Sequence, residues 1–501
     1  MPPSPPIQQQ IRNRTVLEEL LAECDDFATQ LADLAEANQR QRLAVRNAMN
    51  DTVPLNSVIP EEIITKIFSL VRQDQLDRRA RGSFVPLPSP FLLSQVCRTW
   101  RKGIHSNARL WNIVTIQPSP RRYERQIELI KEQLFRARSL KLDIYVVGGW
   151  LTPPRDLFDL FLGYSSQWRT FEIFLCEGLS QALSRQEYSF PSLRSLVQKG
   201  HRLNGTFDFD GFNVTGKLAT LVLDLPDKLI LGQEGLFQWP NHLRSLELRT
   251  HFGGRLIDIL KLCNRLEILT LKLSVLNGRH SHDVVSPTPI TPILLSYLTQ
   301  LTVMDWCPYE SSDTGGYRLL NYINAPGLKR LTVDSSDDTW IIIDRYRNSV
   351  VELTIRNRSQ VQSEWRCLTT SFPSLVQLTI QEHSACLVRS LSDEFIELLN
   401  PTGPHGNLNL KNLAHIEYRG EISFSLDAMI AMVRNRLAYS NSHGFAVLKT
   451  FDIKYTNQHW ARDITARDPN AWSSFYLEVG RLAAAGTNLN LQWASSPWNE
   501  F

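Results

Sequence analysis

Three patterns in the sequence predict an α/β protein in which helices come first and a repeated strand unit fills the rest. A stretch free of proline and glycine runs from Arg12 to Asn50, with apolar residues three and four places apart. Two short helix patterns follow between Ile59 and Trp111. One strand phrase is then written eleven times between Trp168 and Tyr455. Helical spacing repeats about every 3.6 residues and strand spacing every two, so the change of period marks a change of structure.

The first eleven residues are rich in proline and glutamine and are expected to form a disordered tail. In residues 12–51, Leu17, Cys24, Leu31, Asn38 and Val45 recur every seven places. Leu20, Phe27, Leu34, Gln41 and Ala48 fill the second series, which makes a heptad. Two readings stay open: a coiled coil that dimerises the chain, or a helix folded back on the block that follows.

That block spans 52–116. Ile59, Ile63 and Ile67 recur at spacings of four and Phe68 joins them, so one helix face is apolar. Pro60 suits a helix start, where its missing N–H has no partner to lose. Glu61 and Glu62 fall in the first turn, which the helix dipole favours. Val96, Trp100 and Ile104 form a second stripe. Between the two lies a polar segment, Gln73 to Pro90, with three prolines near its end, which reads as an exposed loop. The order Ile-Pro-x-Glu-Ile-x-x-x-Ile-Phe, then Val-Cys-Arg-x-Trp-Arg, then Leu-Trp resembles the F-box in its fungal-type variant. Members of that family bind a Skp-type adaptor and so join a cullin-based ubiquitin ligase of the SCF class. The resemblance implies adaptor docking through Ile59, Pro60, Ile63, Ile67, Val96 and Trp100.

Residues 117–501 begin with a helix pattern from about Arg121 to Arg138 and a degenerate strand phrase, SLKLDIYV, from Ser139. The phrase then recurs clearly, as in LATLVLDL from Leu218, LRSLELRT from Leu243, LEILTLKL from Leu266 and LKRLTVDS from Leu328. The first three steps from Trp168 are 25 residues each, and later ones range from 22 to 38. A fixed strand phrase at such a period marks a solenoid, because no unit of this size can bury its apolar face alone. Positions four and six of the phrase are expected to face the core. Helical segments such as Gly253 to Asn264 and Asp393 to Asn400 return the chain to the next parallel strand. Ala471 to Ala485 reads as a helix, and Asn488 to Trp493 as a last strand that caps the array. The arrangement resembles the leucine-rich-repeat horseshoe. The turn position that usually holds asparagine or cysteine carries residues such as His251 and Ser274, so the repeats are degenerate.

Position five of successive copies includes Thr270, Thr302, Thr332, Thr354 and Thr379, a run that predicts a threonine ladder on the concave face. Position seven brings Arg249, Lys272 and Arg356 to the same face, a pattern suited to an acidic or phosphorylated protein segment. The substrate-binding expectation therefore rests on Arg249, Thr270, Lys272, Thr302, Thr332, Thr354 and Arg356. Simple strand propensity accounts for the threonines equally well.

No phosphate loop, nucleophile motif or zinc-protease motif occurs, so neither catalysis nor a cofactor is expected. His280-Ser281-His282-Asp283 is the densest ligand-like cluster, but no further ligands stand at a recognisable spacing, and no metal is expected there. The seven cysteines are scattered and odd in number, which favours a reducing compartment. A net charge of +3 is too mild to point to nucleic acid. No signal peptide or apolar span is evident, so a cytoplasmic or nuclear protein is expected. The resemblance implies a non-catalytic substrate receptor of an SCF ligase, with a Skp-type adaptor, a cullin scaffold and an unidentified protein substrate as partners. The alternative is a scaffold or interaction protein outside any ligase.

Overall fold

A computed structural model describes residues 5–51, 59–80, 90–116, 123–146, 155–174, 188–199, 207–208, 212–213, 218–224, 229–230, 239–251, 254–274, 292–305, 320–335, 344–357, 372–382, 392–401, 410–455 and 471–493. The chain divides into two compact units. One comprises 1–113 and 129–140, and the other 114–128 and 141–501.

The first unit is helical. Helix α1, Pro5–Asp51, starts earlier than the composition suggested, because prolines sit without cost in a first turn. Its side chains from 16 to 46 are all exposed, so the described residues show no fold-back onto a neighbour. Helix α2 is Glu61–Ala80, α3 is the short Pro90–Leu93 and α4 is Arg98–Ser106. The expectation of a loop from Gln73 is corrected here: α2 continues to Ala80, since polar residues without proline carry a solvated helix as readily as a loop. Helix α5, Tyr123–Ala137, spans the boundary, and its half from Leu129 belongs to this unit.

The second unit is built on one sheet, whose strands lie in strict chain order. They are β1 Ile113–Ile116, β2 Leu142–Val146, β3 Trp168–Phe174, β4 Ser195–Lys199, β5 Thr220–Asp224, β6 Ser245–His251 and β7 Ile268–Ser274. Then come β8 Gln300–Asp305, β9 Arg330–Ser335, β10 Glu352–Asn357, β11 Gln377–Glu382, β12 His415–Gly420, β13 Thr450–Tyr455 and β14 Asn488–Trp493. From β2 to β14 every neighbouring pair is parallel. The fold is therefore α/β around a large parallel sheet.

The repeated phrase explains the sheet residue by residue. Its first position, from Trp168 through Leu243 and Leu298 to Leu448, is at most 1% exposed in every copy. Positions four and six are buried in every copy too. Gln198 is the one amide among them, and its side chain has no hydrogen-bond partner among the described residues. Between positions one and four the backbone steps from copy to copy: Arg244 N donates to Ala219 O (2.9 Å), Glu267 N to Arg244 O (2.8 Å) and Thr299 N to Glu267 O (2.9 Å). These bonds satisfy amides that burial would otherwise strand.

The connections are mixed. Helices α6 (Arg155–Leu162), α7 (Gly254–Leu262), α8 (Asp393–Leu399), α9 (Leu426–His443) and α10 (Ala471–Ala484) occupy some of them. Others hold single turns or short parallel strand pairs, such as Ile293–Leu294 with Ile323–Asn324. The C-terminal helices are tied by polar contacts. Ser425 caps α9 by accepting from Ala428 N (3.1 Å), and its own amide donates to Asp393 Oδ1 (2.6 Å) in the first turn of α8. Gly444 ends α9 in the left-handed conformation (φ 69°) that glycine adopts without strain. Among the described residues, no helix is long and apolar enough to cross a membrane.

Candidate protein-binding surfaces

The helical unit presents the first surface. Pro60 O accepts from Ile63 N (3.0 Å) and Ile64 N (3.2 Å), which sets the first turn of α2. That turn splits the isoleucines. Ile64 and Phe68 point inward and are buried, and Phe68 meets Trp100 edge to face, with ring centres 4.8 Å apart. Ile63, Ile67, Leu70 and Val71 point outward, and Val96 joins them, with exposures from 39% at Val96 to 61% at Leu70. Ile59 and Trp100 are half-buried and Pro60 is exposed. The six residues expected to dock the adaptor are thus partly or wholly accessible, although Trp100 also packs on the buried Phe68 that helps hold the unit together.

That inner set was not evident from spacing. Cys97 is buried and caps α4, its thiol accepting from Trp100 N (3.4 Å). Trp111 is fully buried, and its indole N–H donates to Ile104 O (2.7 Å). Gln133 on α5 donates to Trp111 O (3.2 Å) and Ile113 O (2.6 Å), and Arg136 lies 5.0 Å over the Trp111 ring. His105, beside the same ring, is held below its ordinary value by burial and by Arg136 and Arg101. A short capping box would have been visible in sequence; a cysteine cap and a glutamine reaching across the chain were not.

The outer face of the sheet is the second surface. Thr270, Thr302, Thr332, Thr354 and Thr379 stand in register on five adjacent strands. The ladder is real, and it continues into Glu417 and Asp452 on β12 and β13. It is less open than expected, since Thr302 and Thr379 are buried (9% and 6% exposed) and Thr270, Thr332 and Thr354 half-buried. The cationic row differs from expectation. Lys272 Nζ lies 2.7 Å from Glu247 Oε1 on the neighbouring strand. Arg356 Nη1 donates to the Met304 sulfur (2.7 Å), and its Nε lies 3.9 Å from Asp334 Oδ1. Arg419 binds Glu417 at 2.8 Å. Arg249 is half-buried between Asp224 and Lys272 in register. An open cationic strip for an acidic partner is therefore not what the face presents: Glu247 and Glu417 at position five and Asp334 at position seven supply counter-charges to Lys272, Arg419 and Arg356. Asp334 and Arg356 stand directly opposite in register, an unlike pair that attracts.

Two buried polar centres were missed altogether. Arg436 on α9 is 1% exposed and donates to the carbonyls of Leu399 (3.2 Å), Leu410 (2.9 Å) and Leu413 (3.1 Å). Burial pulls its guanidinium down to about 10. Glu382 ends β11, accepts from Glu421 N (3.2 Å) and packs against Tyr418; burial pushes its carboxyl up to about 7. Among the described residues, no group of three or more histidine, cysteine, aspartate or glutamate side chains is placed to hold a metal. The His280–Asp283 cluster lies outside the described residues.

No protein-family model matches the chain, and no curated protein resembles it at a significant level.

Proposed function

We propose that the chain is the substrate receptor of an SCF-type ubiquitin ligase. It would dock a Skp-type adaptor, and through it a cullin, by the outward face of α2 and α4, and hold a protein substrate on the polar face of the sheet. The observation that carries the reading is the split of the isoleucines. Ile63 and Ile67 carry the F-box-like motif, yet the fold does not use them, and Val96 stands exposed with them. Exposed apolar side chains gathered on one small unit mark an interaction site. The sheet, with its sequential strands and one phrase per strand, is read as a leucine-rich-repeat-like horseshoe with the threonine ladder on its concave side. Arg249, Thr270, Lys272, Thr302, Thr332, Thr354 and Arg356 would contact substrate there as a row of hydroxyls beside paired charges. The chain itself supplies no catalytic group in this reading; it accelerates transfer by proximity.

The test is capture of a Skp-type adaptor by the full chain, followed by probing for a cullin. Ile63→Asp with Ile67→Asp should lower adaptor affinity at least a hundredfold, because two carboxylates would be buried unpaired in the complex. Undiminished capture would sink the assignment, and adaptor without cullin would make the chain a scaffold.

A further inference from the structure

Helix α1 carries a second exposed apolar face. In the two core series of its heptad, Leu17, Leu20, Phe27, Leu31 and Leu34 are between 51% and 66% exposed. Val16 and Leu21 flank them and are exposed as well. The carboxylates Glu18, Glu19, Asp25, Asp26, Asp33 and Glu36 all fall on the opposite side of the heptad. Only Glu23, among the acidic residues from 16 to 36, falls beside the core series. The apolar stripe runs from Val16 to Leu34, about 27 Å of a helix about 70 Å long, and an exposed stripe of that length calls for a partner.

We infer that the partner is a second copy of this chain, joined as a parallel, in-register, two-stranded coiled coil over residues 16–48. Four features identify the occupant. Asn38 and Gln41 interrupt the apolar core series in consecutive layers. An in-register parallel pair puts Asn38 against Asn38 and Gln41 against Gln41 while covering the whole apolar series. A reversed pair over the full length sets Asn38 against Phe27, and the reversed register that matches Asn38 with Gln41 overlaps only over 31–48 and leaves Leu17, Leu20 and Phe27 uncovered. The flanking positions agree. In a parallel pair the residue before one core position faces the residue five further along the partner, so Val16 meets Leu21, two exposed apolar residues that no other register explains. The following flank pairs are Glu23 with Ala28, Gln30 with Ala35 and Ala37 with Arg42, and none sets like charges together. Area is the last feature. Seven apolar side chains per helix, each giving on the order of 80 to 100 Å², would bury roughly 1,100 to 1,400 Å² in the pair, the size of a specific interface.

Cys24 occupies a core position and is exposed with a free thiol. Parallel, in-register pairing brings the two Cys24 thiols face to face across the axis, which makes the arrangement readable.

The experiment uses the full chain without any adaptor, so its outcome is separate from that of adaptor docking. Sedimentation equilibrium at 10 µM (about that concentration, where an interface of this size associates) under reducing conditions should give twice the 57.4 kDa chain mass. Mild oxidation should then yield a covalent dimer that Cys24→Ser abolishes. Leu20→Asp with Leu31→Asp should return the chain to a monomer. A monomeric parent, a trimer or larger species, or a dimer that survives both aspartates overturns the inference. So does a dimer in which Cys24 does not cross-link, since that pairing is antiparallel or shifted. Protection of α1 from proteolysis only when a Skp-type adaptor is added would assign the face to the adaptor and overturn it too.

Discussion

The two units of this molecule depart from ordinary burial in opposite directions. The helical unit leaves isoleucine, leucine and valine outside, on α2 and along α1. The repeat unit takes charge inside, at Arg436, and keeps its outer face polar and internally paired. Neither follows from composition. An apolar residue outside costs little in the free chain and gains when a partner covers it. A charge inside costs several kcal/mol unless it is well hydrogen-bonded. The Nη atoms of Arg436 donate to three carbonyls, while its Nε has no partner among the described residues. Among the described residues, the first unit thus leaves apolar side chains uncovered and the second pairs its charges within itself.

The largest test of that contrast is Arg436→Met. The substitution nearly conserves volume and removes the buried cation, which on its own would help. It also removes the donor that Arg436 gives to the carbonyls of Leu399, Leu410 and Leu413; Leu410 O keeps Leu413 N (3.1 Å), so two acceptors, Leu399 O and Leu413 O, lose the most. Leaving an acceptor unmet costs about 1–3 kcal/mol each. We expect a net loss of roughly 3–5 kcal/mol, read from urea denaturation of the full chain. An unchanged midpoint would mean that the buried charge is a cost the fold tolerates and not a clamp.

Glu382 gives a smaller, pH-dependent effect. Its backbone partner and Tyr418 favour the charged form, but burial dominates and raises the carboxyl from 4.5 to about 7. The site has no slack, since a Cβ on Gly420 would stand 2.6 Å from Glu382 Oε2 and 2.8 Å from the Tyr418 hydroxyl. Below pH 4.5 the group is protonated folded and unfolded, so it contributes nothing to the pH dependence. As pH rises towards 7 the unfolded chain ionises first, and stability falls by roughly 2–3 kcal/mol, levelling off above 7. Glu382→Gln should flatten that slope in thermal denaturation between pH 5 and 8 (roughly the span of the titration). A slope equal to the parent's would show that Glu382 is already ionised in the fold.

How far sequence carried can be judged from particular residues. The strands, their core positions and the threonine ladder were legible, because a phrase repeated eleven times averages out local exceptions. The helical segments at Gly254, Asp393 and Ala471 also followed from spacing. What failed was anything that depends on contact between distant residues. Glu247 beside Lys272, Asp334 beside Arg356 and Arg436 beneath Leu413 are pairings made by register or by helix docking. A list of charges by repeat position does not contain them. The α2 boundary failed for a local reason: its second half is polar and has no packing signal.

The smallest expected effect tests the helical unit alone, on two adjacent residues. Ile63 and Ile64 are identical in sequence terms, and spacing placed Ile63, not Ile64, in the apolar stripe. In the fold, Ile64 is 5% exposed and Ile63 48%. Ile64→Asp places an unpaired carboxylate among Phe68 and its neighbours and should unfold the unit, at a cost on the order of 3 kcal/mol or more. Ile63→Asp places one in water, in the first turn of α2, where the helix dipole favours it. Its stability change in the free chain should stay within about 0.5 kcal/mol, the range of ordinary surface substitutions. Circular dichroism with denaturant compares the two directly. If Ile63→Asp unfolds the unit as Ile64→Asp does, Ile63 is a core residue, and any loss of adaptor binding in that variant reports unfolding, not a docking face. If Ile63→Asp folds as the parent does, the same variant becomes a clean probe of docking, because nothing but the exposed surface has changed.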